Sequence, residues 1–112
     1  MMNYEYRALC VKVYDGDTIT CDIDLGFYIT LRKQTIRLLS IDTPEIRGDE
    51  RPEGLIAKDW LAEQILNKEV VLHTLKDKRG KYGRWLADVY LPESDISLNK
   101  TMLDLGIAKK YQ

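Results

Sequence analysis

The chain has 112 residues, 45% hydrophobic and 31% charged, with a formal net charge of −1; this allows one domain with a single modest core and excludes two. A near-neutral balance excludes the global basicity of a duplex-coating protein, and no apolar run reaches the roughly 20 residues of a membrane span. The opening Met-Met-Asn-Tyr-Glu-Tyr-Arg holds no apolar signal segment, so the expectation is a cytoplasmic protein if the chain is full length, and a secreted one if a leader has been removed.

In chain order, residues 6 to 14 alternate as a strand, "DGD" at 15 to 17 turns, and residues 18 to 25 alternate again. On that pattern Leu9, Val11 and Val13 share one face, as do Ile19, Cys21 and Ile23. Pairing these faces sets Val11 opposite Cys21 and Cys10 on the other side of the sheet, which argues against a disulfide and for both thiols as packing residues. Gly26 breaks the run, and residues 28 to 41 form one long third strand ending at Asp42-Thr43-Pro44-Glu45. Residues 46 to 54, "IRGDERPEG", are polar and aperiodic and predict a loop. Residues 54 to 67 predict a helix with Ile56, Ala57, Trp60, Leu61 and Ile65 on one side, and Glu53 near its start suits the helix dipole.

Residues 69 to 75 read as a strand and 84 to 91 as its partner, closed by Pro92. The segment between them, "KDKRGKYGR", carries +4 and leaves −5 on the remainder, which suits a limited stretch of polyanion; taken alone, it is better accounted for as a solvated basic hairpin. A short helix over about 97 to 105 ends at Gly106. His73, the only histidine, reads as a surface or half-buried strand residue, and Trp60 and Trp85 read as packing residues, Trp85 facing away from Arg84. Three strands, a helix, two strands and a helix match the plan of a five-stranded OB-fold Greek-key barrel of the α+β class, a plan that does not by itself establish function.

Arg37 stands out because it opens an otherwise apolar run, where a charge needs an anionic partner. In a barrel, the first turn and the end of the third strand can meet at one rim. Asp17 and Asp42 would then present two carboxylates to one point, beside the backbone carbonyl of Thr43; all-oxygen ligation suits a hard cation such as calcium or magnesium. Arg37 and Arg84 could grip phosphate oxygens bidentately, and Glu45 could orient or deprotonate a water. Taken singly, each has a structural account too: a turn at Asp15–Thr18, a capped turn at Asp42–Glu45, an ion pair of Arg37 with Asp17 or Asp42, a surface charge at Arg84.

"YDGDT", "RLLSIDTPE" and "KYGR", in this order, resemble the staphylococcal nuclease (thermonuclease) family, and the likeness runs from about Leu9 to about Tyr111. The resemblance implies one nuclease-like domain over residues 1 to 112, an OB-fold barrel, and calcium-dependent cleavage of single-stranded or locally melted DNA and RNA that leaves 3′-phosphate ends. Magnesium would support activity less well. Carried over by position, Asp17 and Asp42 are calcium carboxylates, Thr43 gives its carbonyl, Glu45 takes the general-base position, Arg37 and Arg84 contact the scissile phosphate, Tyr82 holds the nucleotide and Asp15 lies behind the ligands. The expected state is a monomer without membrane association. The sequence departs from the family's secreted prototype in a longer hairpin between Asp17 and Arg37, a shorter loop after Glu45, an acidic balance, and Tyr111 standing out of register with the prototype's nucleotide-stacking tyrosine. The rival reading is the same barrel as a non-catalytic module binding nucleic acid or protein; the retained aspartates, arginines and Glu45 favour the enzyme.

Overall fold

Two long antiparallel strands open the computed structural model, which describes residues 3–79 and 83–111, with side chains over 4–75 and 83–111. Strand β1 (Asn3–Asp15) turns through Gly16 and Asp17 into β2 (Thr18–Asp24), and β3 (Thr30–Leu38) returns alongside β2. After helix α1 (Arg51–Ile65), β5 (Glu69–Arg79) pairs with β1, and β6 (Trp85–Tyr90) pairs antiparallel with β5 and parallel with β3. The order β1-β2-β3-β6-β5 closes a five-stranded barrel, the OB-fold architecture that the element order predicts. Alternate residues of the strands point inward; Ile19, Ile36, Leu72 and Val89 are fully buried, with Leu61 and Ile65 of α1 and Met102 of α2 (Leu98–Leu105) packed against them. No described helix is long and apolar enough to cross a membrane.

The first hairpin differs from simple alternation. Cys10 pairs with Cys21 and Lys12 with Thr20, so Val11 bulges out of the ladder. The inward face therefore passes from Ala8 and Cys10 to Val13, and Leu9 is 44% exposed. Cys10 faces Cys21 directly, on the same side of the sheet, where the alternation placed Val11. Both thiols are buried and free. Hydrogen bonding between them draws the Cys10 thiol's pKa down and, with burial, pushes that of Cys21 up.

The long third strand is also two pieces. It stops at Leu38, Ser40 takes a left-handed φ of 64°, and a short β4 (Ile41–Asp42) leaves the barrel to pair with β7 (Lys109–Lys110). Helix α1 starts three residues earlier than its periodicity predicts, directly after a 3-10 turn at Gly48–Glu50 and with Pro52 in its first turn, where the missing N–H costs nothing. Its buried residues are Gly54, Ala57, Leu61 and Ile65. Ile56 is 59% exposed and lies off that face. The first turn of α1 faces solvent, which is why its polar sequence reads as loop.

Helix α2 follows expectation: the Ser97 hydroxyl accepts the Lys100 N–H at 3.0 Å, and Gly106 ends the helix at φ 78°. The backbone of β5 extends through residue 79, past the expected 75. The side chains of the basic segment before Gly83, and Tyr82 altogether, lie outside the described residues. His73 is half-buried on β5, 3.1 Å from the Glu5 carboxylate and stacked at 4.3 Å on Tyr90.

Candidate active site

Strand register brings the chemically distinctive residues together. Thr18 is opposite Arg37 on β3, and the Leu38 N–H donates to the Asp17 carbonyl at 2.9 Å, so the first turn sits beside Arg37. On the other side Arg37 pairs with Leu86 of β6, and Arg84, two residues earlier in the chain, faces the same cleft as Leu86. The turn at Leu39–Ser40 then folds β4 back to the same rim. The result is a cleft of about 720 Å³ whose walls include Asp15, Asp17, Arg37, Asp42, Glu45 and Arg84.

Arg37 has found its anionic partners. Its Nη1 lies 3.5 Å from Asp17 Oδ2 and its Nη2 3.7 Å from Asp42 Oδ1. These separations exceed the 2.7–2.9 Å typical of charge-assisted hydrogen bonds. The short bonds from Nη1 go instead to the Leu38 and Ile41 carbonyls, at 3.0 and 2.9 Å. Asp17 is 6% exposed and accepts from the Thr43 N–H and the Thr18 hydroxyl, both at 3.1 Å. Asp15 accepts the Asp17 N–H at 3.1 Å; burial first, then the neighbouring Asp17 carboxylate, push its pKa up to about 7.

Two close approaches hold the rim. A Cβ at Gly16 would sit 2.8 Å from both Ala57 Cβ and Thr43 Cγ2, so only glycine lets the first turn lie against α1 and the Asp42–Glu45 loop. Glu45 itself is exposed, with its backbone N–H donated to the Glu50 carboxylate at 3.1 Å. Arg51 donates to the Ile46 carbonyl at 2.8 Å, and Arg47 Nη2 donates to Tyr14 Oη at 3.0 Å.

The donor set fits a hard cation. Asp17 and Asp42 offer carboxylate oxygen, and the walls named above hold neither histidine nor cysteine. Among the described residues no three histidine, cysteine, aspartate or glutamate side chains come close enough to hold one ion, so water, a backbone carbonyl or substrate oxygen must complete the shell. Thr43 is buried, its hydroxyl has no hydrogen-bond partner among the described residues, and its side chain packs toward Gly16 rather than lining the cleft.

A family model for staphylococcal nuclease homologues matches residues 35–112. The chain belongs to the staphylococcal nuclease family. It is 32% identical to a thermonuclease of Staphylococcus hyicus over 105 residues, which cover 91% of this chain and 59% of that protein. It is 30% identical to an uncharacterized protein of Methanocaldococcus jannaschii over 129 residues, covering 95% of this chain and 59% of that one. Its identity to the endonuclease YncB of Bacillus subtilis is 35% over 102 residues, covering 88% and 44%. The chain thus spans about three-fifths or less of the length of these relatives.

Within this member of the family, two residues, Asn99 and Tyr111, lie outside the motifs. Asn99 is 3% exposed on α2: its Oδ1 accepts the Val89 N–H at 3.0 Å, and its Nδ2 donates to the Leu39 carbonyl at 2.9 Å and the Ala87 carbonyl at 3.3 Å. It stitches the end of β3 to β6 behind the cleft, and its sequence signal was a lone amide on the apolar face of a short helix. Tyr111 lines the cleft with no period or motif to mark it; Tyr14 lines it too, the first residue of "YDGDT", for which the sequence suggested no role.

Proposed function

We propose that the chain is a metal-dependent nuclease that hydrolyses phosphodiester bonds in single-stranded or locally melted DNA and RNA, works best with calcium, and leaves 3′-phosphate ends. The observation that carries this reading is the gathering of Asp17, Asp42, Glu45, Arg37 and Arg84 around one cleft. Membership of the family and the names of the thermonuclease and endonuclease relatives support it.

Asp17 and Asp42, with the Thr43 carbonyl, would hold the cation, which when bound supplies Lewis-acid polarisation of a phosphoryl oxygen. Arg37 and Arg84 neutralise the charge that grows on the equatorial oxygens as water attacks phosphorus. The Glu45 carboxylate takes the proton of that water. Breaking the P–O5′ bond leaves the phosphate on the 3′ side, and the departing 5′-oxygen takes a proton from solvent to become the 5′-hydroxyl. Asp15, on the cleft wall beside Asp17, accepts the Asp17 N–H and so supports the turn that presents that carboxylate.

The test incubates the protein with single-stranded DNA and RNA oligonucleotides in calcium, magnesium or chelator, and reads fragments and end groups. Cleavage in calcium with 3′-phosphate ends, abolished by chelator, is expected. Binding without cleavage under all metals would overturn the reading in favour of a passive module.

A further inference from the structure

Arg37 is anchored asymmetrically. Both short hydrogen bonds, to the Leu38 and Ile41 carbonyls, leave from Nη1, while Nη2 makes the long contact with Asp42. These two bonds hold the group at its Nη1 end, and the Nη2 end has only the long Asp42 contact. Tyr111 adds a contact on the face of the group: the Arg37 Cζ lies 5.5 Å from its ring centroid, within cation–π range. The ring is held there by its own backbone, whose N–H donates to the Ser40 carbonyl at 3.0 Å, and by the neighbouring pairing of Lys109 with Asp42. Tyr111 is 62% exposed, so it is not filling the core. It lies against the guanidinium and the cleft.

We infer that Tyr111 is a positioning residue for Arg37. Its ring keeps the guanidinium plane turned to the cleft once Asp17 and Asp42 are engaged by a cation and no longer balance the arginine. This rests on the phosphodiesterase reading for its kinetic consequence but not for its geometry, so the experiment separates the two.

In metal-free protein, the Arg37 Nε–Hε resonance, assigned by its loss in Arg37→Lys, should shift in Tyr111→Leu as the ring current disappears and stay in place in Tyr111→Phe. With a single-stranded DNA oligonucleotide and calcium, Tyr111→Leu should lower kcat about five- to tenfold, the scale of a partly exposed cation–π contact, with KM within about twofold. Tyr111→Phe should retain wild-type kcat. If the leucine variant loses its cooperative melt, Tyr111→Met provides the same comparison. An unmoved Arg37 signal in the leucine variant, equal kcat losses in the leucine and phenylalanine variants, or a rise in KM alone would overturn the assignment. A wild-type protein that cleaves nothing would sink the nuclease reading, and the Arg37 resonance would still decide whether Tyr111 orients the guanidinium.

Discussion

Gly54 is where α1 meets the loop that carries Glu45, and Gly54→Ala sets two effects against each other. In an unconstrained helix interior the substitution gains about 1 kcal/mol. Here a Cβ would sit 2.5 Å from the Glu45 carbonyl carbon and 2.9 Å from the Pro44 oxygen, and would run into the Glu45 carbonyl oxygen itself. These are backbone atoms, in a loop stiffened by Pro44 and tied by the Glu45 N–H to Glu50, so no side chain can swing aside. Restoring an ordinary 3.4 Å contact to the carbonyl carbon requires a shift of about 1 Å. Overpacking of this kind costs ~1–3 kcal/mol, which leaves a net loss of ~0–2 kcal/mol after the helix gain. A displacement of ~1 Å at a catalytic group can cost ~100-fold in rate. Gly54→Ala should therefore melt only a few degrees below wild type while its single-turnover cleavage of an oligonucleotide, measured well below the melting temperature, drops by about two orders of magnitude. A variant that is more stable by the full helix gain and cleaves at the wild-type rate would refute the reasoning, because the close approach would then impose nothing.

Arg84→Ala should keep the wild-type melt and lose on the order of 10³-fold in turnover, as other phosphoryl-transfer arginines do; wild-type turnover would remove Arg84 from the site. Asn99→Ala strips partners from the Val89 N–H and the Leu39 carbonyl, both packed behind the cleft, and should cost about 3 kcal/mol in urea unfolding, whereas a loss below about 1 kcal/mol would mean that water replaces the amide. Asp15 binds its proton more tightly folded than unfolded, its pKa rising from 3.8 to about 7, so metal-free protein should lose stability as pH rises across that window. Asp15→Asn keeps the acceptor for the Asp17 N–H and should flatten that slope in pH-dependent melts; an unchanged slope would assign it to another group. At the β2–β3 tip, Phe27 and Tyr28 take φ of 55° and 63° while the Ile29 N–H bonds the Gly26 carbonyl at 2.9 Å, the pattern of a type I′ turn. The rings are 94% and 108% exposed, so Phe27→Asn with Tyr28→Gly should stabilise by about 1–3 kcal/mol in thermal melts; a loss would show that the aromatics make contacts worth more than the strain.

What was legible in the chain was whatever depends on residue type in sequence. The alternation of β2, the Ser97–Gly106 bounds of α2 and the three motifs are local signals, and the barrel order follows from them. Features requiring a partner elsewhere were hidden. The bulge at Val11 is invisible to a period of two, and it moved Cys10 to the opposite face. The early start of α1 was masked because Arg51 and Glu53 face water and carry no apolar period. The break at Leu39–Ser40 is decided by β7, some 70 residues further along, which captures β4 as a separate pair. Asn99 and Tyr111 likewise owe their positions to contacts with Leu39, Ala87, Ser40 and Arg37 that no neighbouring residue announces.

The charge of the cleft explains how an acidic chain could handle a polyanion. Among the described residues that line the cleft, the carboxylates of Asp17, Asp42 and Glu45 face the cations Arg37 and Arg84, and burial beside Asp17 raises the pKa of Asp15 to about 7. With the three carboxylates ionised, that set is net negative and repels phosphate, and the long contacts of Arg37 to Asp17 and Asp42 spend part of its field on neutralising them. A divalent cation held between the aspartates would make the set net positive and would free Arg37 to meet phosphate oxygens. On the proposed function, ion and substrate are thus coupled through the same two carboxylates, each improving the other's site. On that reading Arg37 is the residue on which the coupling turns: its partners would change from carboxylate to phosphate while its anchor to the Leu38 and Ile41 carbonyls stays in place.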